Sequence, residues 1–275
     1  MKRLGALMAL CAVGLGCGDD SNSSSTRQQV EISYAAVVGD QPFVCGNRYD
    51  NLGANDTSLV LSDFRFYVQN VDMKNAAGAW IPVELDENEF QTTGVALLDF
   101  EDCASMGNED LNGLVTGSLP AGEYDGLRFT MGVPFEMNHV NHSTAPSPLN
   151  LTSLFWNWQG GYKFLRIDSG QFSETDWRMH LGSTGCVGDA MAGGVTECAN
   201  GNRVTVEFAS FDPSVNTVVA DYEALVEGAA LDQNEAADAG CMAKPADTDC
   251  GPLFANLGLP FGGTPAGTQQ FFSAE

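Results

Sequence analysis

Residues 126–135 read "GLRFTMGVPF": Leu127, Phe129, Met131 and Val133 alternate with Arg128, Thr130 and Gly132. A two-residue repeat sends successive side chains to opposite sides of an extended chain, so this stretch reads as a strand with one apolar face. The reading extends outward to "EISYAAVVG" (31–39), "SLVLSDFRFYVQNVDM" (58–73), "WIPVEL" (80–85), "VALLDF" (95–100), "YKFLRID" (162–168), "RVTVEFASFD" (203–212) and "TVVADYEAL" (217–225). Each is a short apolar or alternating run bounded by Gly, Asn or Asp. Helical periodicity is scarce, which argues against βαβ units and a parallel sheet. The expected fold is all-β: an antiparallel β-sandwich of about eight or more strands with long loops.

The chain has 275 residues, 44% of them hydrophobic, enough for a real core. Residues 1–16 stand apart: Lys2 and Arg3 precede the apolar run "LGALMALCAVGLG", which has the layout of a signal peptide. Leu15 and Gly16 before Cys17 resemble a bacterial lipobox, so Cys17 is the expected lipidated N-terminus of the mature chain. With Gly18 and not an aspartate directly after it, the outer membrane is the expected address. Residues 17–29 are polar and Ser-rich and read as a flexible tether, and residues 30–275 as a single domain. Loss of Lys2 and Arg3 with the signal takes the formal net charge from -24 to -26. Such acidity, without a basic stripe, excludes nucleic acid as a partner.

Export makes disulfides the default for Cys45, Cys103, Cys186, Cys198, Cys241 and Cys250. Pairing Cys186 with Cys198 and Cys241 with Cys250 would close two local loops and leave Cys45 with Cys103, but spacing does not choose among the possible connectivities. The absence of any C-x2-C pair argues against zinc.

The remaining unusual stretch is "FWNWQGG" (155–161). Ser147 before Pro148 suits a helix start and Gly160 with Gly161 a stop, so a short helix over about 148–158 is expected. On it Trp158 shares a core stripe with Leu151, Leu154 and Phe155, whereas Trp156 falls on a partly polar face with Leu149, Thr152 and Ser153. A strand would instead put both rings on one side.

This region, "GVPFEMNHVNHSTAPSPLNLTSLFWNWQGGYKFLRID" followed by "MHLGSTGC", Cys198, Asn202 and Arg203, resembles the MbnP-like copper-binding family, which includes the four-cysteine "metallo-mystery pair" proteins. "SDFRFYVQNV" and "LLDFED" match the family's N-terminal half. The resemblance covers most of residues 30–225. It implies a periplasmic or outer-membrane protein that binds copper and is paired with a di-haem cytochrome c peroxidase-like, MauG-like enzyme. That enzyme oxidises the first tryptophan of W-x-W, here Trp156, to kynurenine, on which copper binding depends. His139 and His180 occupy positions like those of the family's histidines and are the expected ligands, with Cu(I) favoured because such a site needs few donors. His142 lies outside the pattern and is expected to be a solvated loop residue. Met137 and Met179 could supply sulfur, although neighbours in a strand face opposite ways. The competing expectation is a secreted hydrolase or carbohydrate-binding sandwich using Trp156 and Trp158 as a stacking platform; no G-x-S-x-G elbow supports it.

Overall fold

A computed structural model of the chain describes residues 26–103, 110–170, 176–189, 194–234 and 238–275. The signal segment and Cys17 lie outside these residues. Two sheets face each other. One runs, in spatial order, Phe272–Ala274, Thr217–Asp221, Arg27–Val38, Leu114–Pro120 and Glu84–Leu85; the other is built on Arg178–Leu181, Leu165–Ser169, Thr57–Asn75, Tyr124–Met131 and Val204–Phe208, with Val95–Asp99 also on Thr57–Asn75. Pairing is antiparallel except between Arg27–Val38 and Thr217–Asp221, which run parallel. The expected β-sandwich is therefore the observed fold.

The long strand Thr57–Asn75 organises the molecule. Phe64, Phe66 and Val68 point into the space between the sheets. Asn70, at φ 50, then breaks the alternation, so that Val71 and Met73 take over the inner face. Phe66 and Phe129 meet Phe272 edge to face, with centroids 5.5 and 5.2 Å apart, so the C-terminal segment closes this core. The run at 217–225 is a strand only as far as Asp221, whose side chain accepts from the Glu223 amide and caps the helix Tyr222–Val226.

The other face of the same strand is also covered. Tyr67, Leu97, Leu149, Leu154, Tyr162 and Phe164 form a second buried cluster, made where the long connection after Met131 folds back over the sheet. Val133 belongs to it, not to the inner core with Leu127, Phe129 and Met131, because the strand ends at Met131.

The expected helix over 148–158 is absent. Only a 3-10 turn, Thr152–Leu154, forms, followed by the strand Phe155–Asn157. The carbonyls that a helix would need are taken from outside the segment: Tyr67 Oη donates to the Pro148 carbonyl at 2.9 Å, and Tyr162 Oη donates to that of Leu149. The disulfides are Cys45–Cys103, Cys186–Cys198 and Cys241–Cys250, the two local pairs and the long-range one.

Candidate metal centre

"FWNWQGG" is a β-hairpin. Phe155 pairs with Tyr162 and Asn157 with Gly161, and Asn157 Oδ1 accepts from the amides of Gln159 (2.9 Å) and Gly160 (2.8 Å) to hold the turn. Gly161, at φ 75, lets the backbone approach the turn of helix Phe135–Asn138: a Cβ there would lie 2.4 Å from the Asn138 carbonyl oxygen. Asn138 is buried and its Oδ1 accepts from the Tyr162 amide at 2.9 Å. The double glycine thus locks the hairpin onto the segment that carries His139.

The two tryptophans separate differently from the helical expectation. Trp158 sits in the turn with 39% of its surface exposed, so it is not a core residue. Trp156 is half-buried, and its ring lies on Gly182, where a Cβ would come within 2.5 Å of Cζ3. It lines a cleft of about 520 Å³ together with Gln159, Ser183, Cys186 and Met242. His180 precedes Gly182 by two residues in an extended chain, so the indole rests roughly 7 Å along from His180.

His180 stands on the outer face of the large sheet within a cross-strand row of charge. Arg65 pairs with Arg166 and with Asp99, and Arg166 pairs with His180. Asp168 is the hub. It accepts from Arg166 Nε (2.9 Å) and Nη2 (2.6 Å) through Oδ2, and from His180 Nε2 at 2.6 Å through Oδ1. Asp63 lies 3.1 Å from Arg166 Nε and also binds Arg65. Burial alone would raise the Asp168 carboxyl, but the hydrogen bond and charge of His180 and those of Arg166 outweigh it and hold it well below the usual carboxylate range. Burial in turn lowers His180, against the pull of Asp168. In its neutral form the ring carries its proton on Nε2, facing the carboxylate, and its lone pair on Nδ1. Nearby, burial and the charge of Arg166 bring Lys163 down to about 8, and burial raises Asp99 to about 7 despite Arg65.

His139 is fixed in a comparable way. Its Nδ1 is 3.2 Å from the Trp158 carbonyl, which can only accept, so the proton is on Nδ1 and the lone pair on Nε2. Nε2 faces Asn138 Nδ2 at 3.1 Å and Cys198 Sγ at 3.5 Å. Burial lowers its pKa, the Trp158 bond opposes this, and Arg203 adds to the lowering. His142 is not free in solvent: it is half-buried and stacked on Phe155 with centroids 4.4 Å apart. Met179 is excluded from the His180 side, because strand alternation buries it in the inner core; Met137 packs against the outer cluster.

Among the described residues no hydrogen bond or ring contact joins His139 directly to His180 or to Trp156. His139 and Trp156 both border the Cys186–Cys198 bridge, and Trp156 lies on Gly182, two residues after His180, whereas His180 itself lines another cleft with Asp168 and Lys163. Asp168 and Asn138, which orient the expected ligands, were not singled out from the sequence. Asp168 lies in the strand Leu165–Ser169 at a spacing that reveals nothing of His180, whereas the adjacency of Asn138 to His139 is visible in the sequence.

A family model described as MbnP matches residues 27–243. Among solved structures the chain is similar to MbnP from Methylosinus trichosporium, at 30% identity and a TM-score of 0.79, over 90% of this chain and 98% of that one. No curated protein matches.

Proposed function

The chain belongs to the MbnP family, and on that premise we propose that it is a non-catalytic protein that binds a single copper ion, Cu(I) in preference, and serves copper homeostasis. The observation that carries the reading is the state of its two histidines. His180 and His139 each give one ring proton to a fixed acceptor, Asp168 and the Trp158 carbonyl, which leaves a lone pair on the other nitrogen; that of His139 accepts from Asn138 Nδ2, a bond that an ion would replace. That arrangement is what a metal-ligating imidazole requires, since the second partner fixes the tautomer and the ring orientation. His180 through Nδ1 and His139 through Nε2 would hold the ion.

Trp156 is the modified residue in this proposal. Its oxidation to kynurenine by a di-haem, MauG-like partner opens the indole and creates an aryl amine and a ketone beside the Gly182 backbone, where the intact ring offers only an N–H donor. Exposure along the cleft supports access to Trp156. Cys17 is the proposed lipid anchor, placing the domain at the outer membrane behind the tether. Among the described residues no helix is long and apolar enough to cross a membrane.

The test is copper stoichiometry and intact mass for protein made with and without the di-haem enzyme. The expected result is one tightly bound copper only in the co-produced protein, with the mass change mapped to Trp156 and both absent from Trp156→Phe. Equal copper in the Trp156→Phe protein, or modification at Trp158, overturns the reading.

A further inference from the structure

Strands Thr184–Asp189 and Gly194–Asn200 form a hairpin outside both sheets, with most of its side chains exposed. Within it Cys186 lies directly opposite Cys198, and the two are bridged. His139 reaches this pair from a different part of the chain. Its Nε2 is 3.5 Å from Cys198 Sγ, and the ligand atoms of His139, Cys186 and Cys198 all lie within 4.8 Å of one another. Because Nδ1 is tied to the Trp158 carbonyl, the Nε2 lone pair is on the sulfur side, shared there with Asn138 Nδ2. A tetrahedral ion with metal–sulfur bonds of about 2.3 Å and metal–nitrogen bonds of about 2.0 Å separates an S and an N ligand by roughly 3.5 Å. His139 and Cys198 already stand at that separation.

We propose that Cys186, Cys198 and His139 form a second, redox-gated site for a soft cation, closed while the disulfide is intact and opened by a dithiol reductant. In the opening step a thiolate of the reductant attacks one sulfur of the bridge, the S–S bond breaks to a mixed disulfide, and the reductant's second thiol displaces the protein sulfur. Two electrons pass to the protein pair, which becomes two thiols, and the dithiol becomes a disulfide. The freed sulfurs part to roughly 3.8 Å, the edge of a tetrahedral site. Binding of the cation then releases the two thiol protons to solvent.

Three features of the surroundings suit this role. Two thiolates and an imidazole favour Cu(I) or Zn(II) over hard cations. With Cu(I) the set carries one net negative charge beside Arg203, whose charge is felt at His139 and whose buried Nη2 has no hydrogen-bond partner among the described residues. Access is also provided, because a two-stranded hairpin with so little apolar cover opens locally at low cost. Trp156 and His180 take no part, but His139 Nε2 is the nitrogen assigned to copper above, so the two sites exclude each other, and the Trp156→Phe background, which the copper reading leaves without copper, separates the failure of one from the failure of the other.

The experiment uses the full chain, wild-type and Trp156→Phe, treated anaerobically with dithiothreitol. Released thiols are mapped by differential alkylation and peptide mass spectrometry, and Co(II) is the probe. The reduced protein is expected to gain one Co(II) with thiolate-to-cobalt charge-transfer absorption and tetrahedral d–d bands, in both backgrounds, while the oxidised protein gains none. Cys186→Ser/Cys198→Ser should lose the band and Cys45→Ser/Cys103→Ser should keep it. His139→Ala should retain charge transfer but weaken binding by more than the roughly tenfold that loss of an outer-shell partner costs. The proposal is overturned if the band survives Cys186→Ser/Cys198→Ser, if His139→Ala leaves affinity unchanged, or if the Cys186–Cys198 bridge opens only when circular dichroism reports unfolding.

Discussion

Replacing Asp168 by alanine removes the acceptor at the centre of the outer-face charge row. Three hydrogen bonds go with it, two from Arg166 and one from His180. Removing one partner of a buried ion pair costs about 3–5 kcal/mol, because the other charge is left uncompensated. Arg166 is not orphaned here: Asp63 remains 3.1 Å from its Nε and the Ser153 carbonyl 3.1 Å from its Nη1. The low end, about 3 kcal/mol, is therefore the expected loss at pH 7. For a domain of this size that corresponds to a melting temperature lower by roughly 6–12 °C. The variant also frees the His180 proton from its acceptor, and copper affinity should fall about 10–100-fold.

The pH dependence has a definite sign. Asp168 has a depressed folded pKa, so its contribution is complete above the unfolded value of about 3.9 and is lost as pH falls through the folded value. The stability gap between wild type and Asp168→Ala should be flat near neutrality and shrink progressively below about pH 4. Urea melts across pH, with a copper titration on each protein, measure both effects. A companion Arg166→Leu/Asp168→Leu variant should recover most of the stability but not the copper affinity, which separates packing from ligand orientation. A neutral-pH loss under about 0.5 kcal/mol refutes the structural role; full copper affinity in the destabilised protein refutes ligation through His180 Nδ1.

Three further outcomes are expected. Gly182→Ala puts a methyl 2.5 Å from the Trp156 ring and 2.7 Å from the Tyr162 carbonyl, so it should cost about 1–3 kcal/mol and shift tryptophan fluorescence; an unchanged spectrum would place Trp156 elsewhere. Asp99 is raised to about 7, so its protonated form stabilises the fold below the unfolded pKa and that benefit disappears as pH rises to neutrality. Asp99→Asn should therefore gain on wild type by on the order of 3 kcal/mol between pH 4 and 7 in chemical denaturation, and a pH-independent difference would disprove this. Trp158→Ala, at an exposed turn, should change stability by less than about 1 kcal/mol by the same measurement, whereas a loss of about 3 kcal/mol would restore it to the core.

The strands were legible because each carries its own evidence, an alternation that one buried face imposes. Leu127, Phe129 and Met131 needed no knowledge of their partners to be placed together. The segment 148–158 carries no such self-contained signal. Its Ser-Pro start and Gly-Gly stop fit a helix, but the Pro148 and Leu149 carbonyls are claimed by the hydroxyls of Tyr67 and Tyr162, and Asn157 turns the chain back on itself. Tyr67 is 81 residues from Pro148, and no local pattern announces that bond. The same holds for Asp168 and His180, twelve residues apart on neighbouring strands.

That covering segment also explains the electrostatics of the site. In "SDFRFYVQ" the alternation marks Phe64 and Phe66 as inward and Asp63 and Arg65 as outward, and an outward face of a sandwich ordinarily meets water. Here it does not: Arg65 is 1% exposed and Asp63 3%. The loop that ends in "FWNWQGG" roofs this face, with Lys163 and Arg166 both donating to the Ser153 carbonyl. Once roofed, each charge must find a partner, since an unpaired ion in a dry setting is far costlier than a paired one. The pairing that results leaves His180 with a single available nitrogen. A hairpin that appears in the sequence as two tryptophans and two glycines thus helps fix which ring nitrogen a histidine on another strand turns to its carboxylate. Any substitution that lifts the hairpin, such as a side chain at Gly161, should wet the row and release the His180 tautomer together with the ring of Trp156.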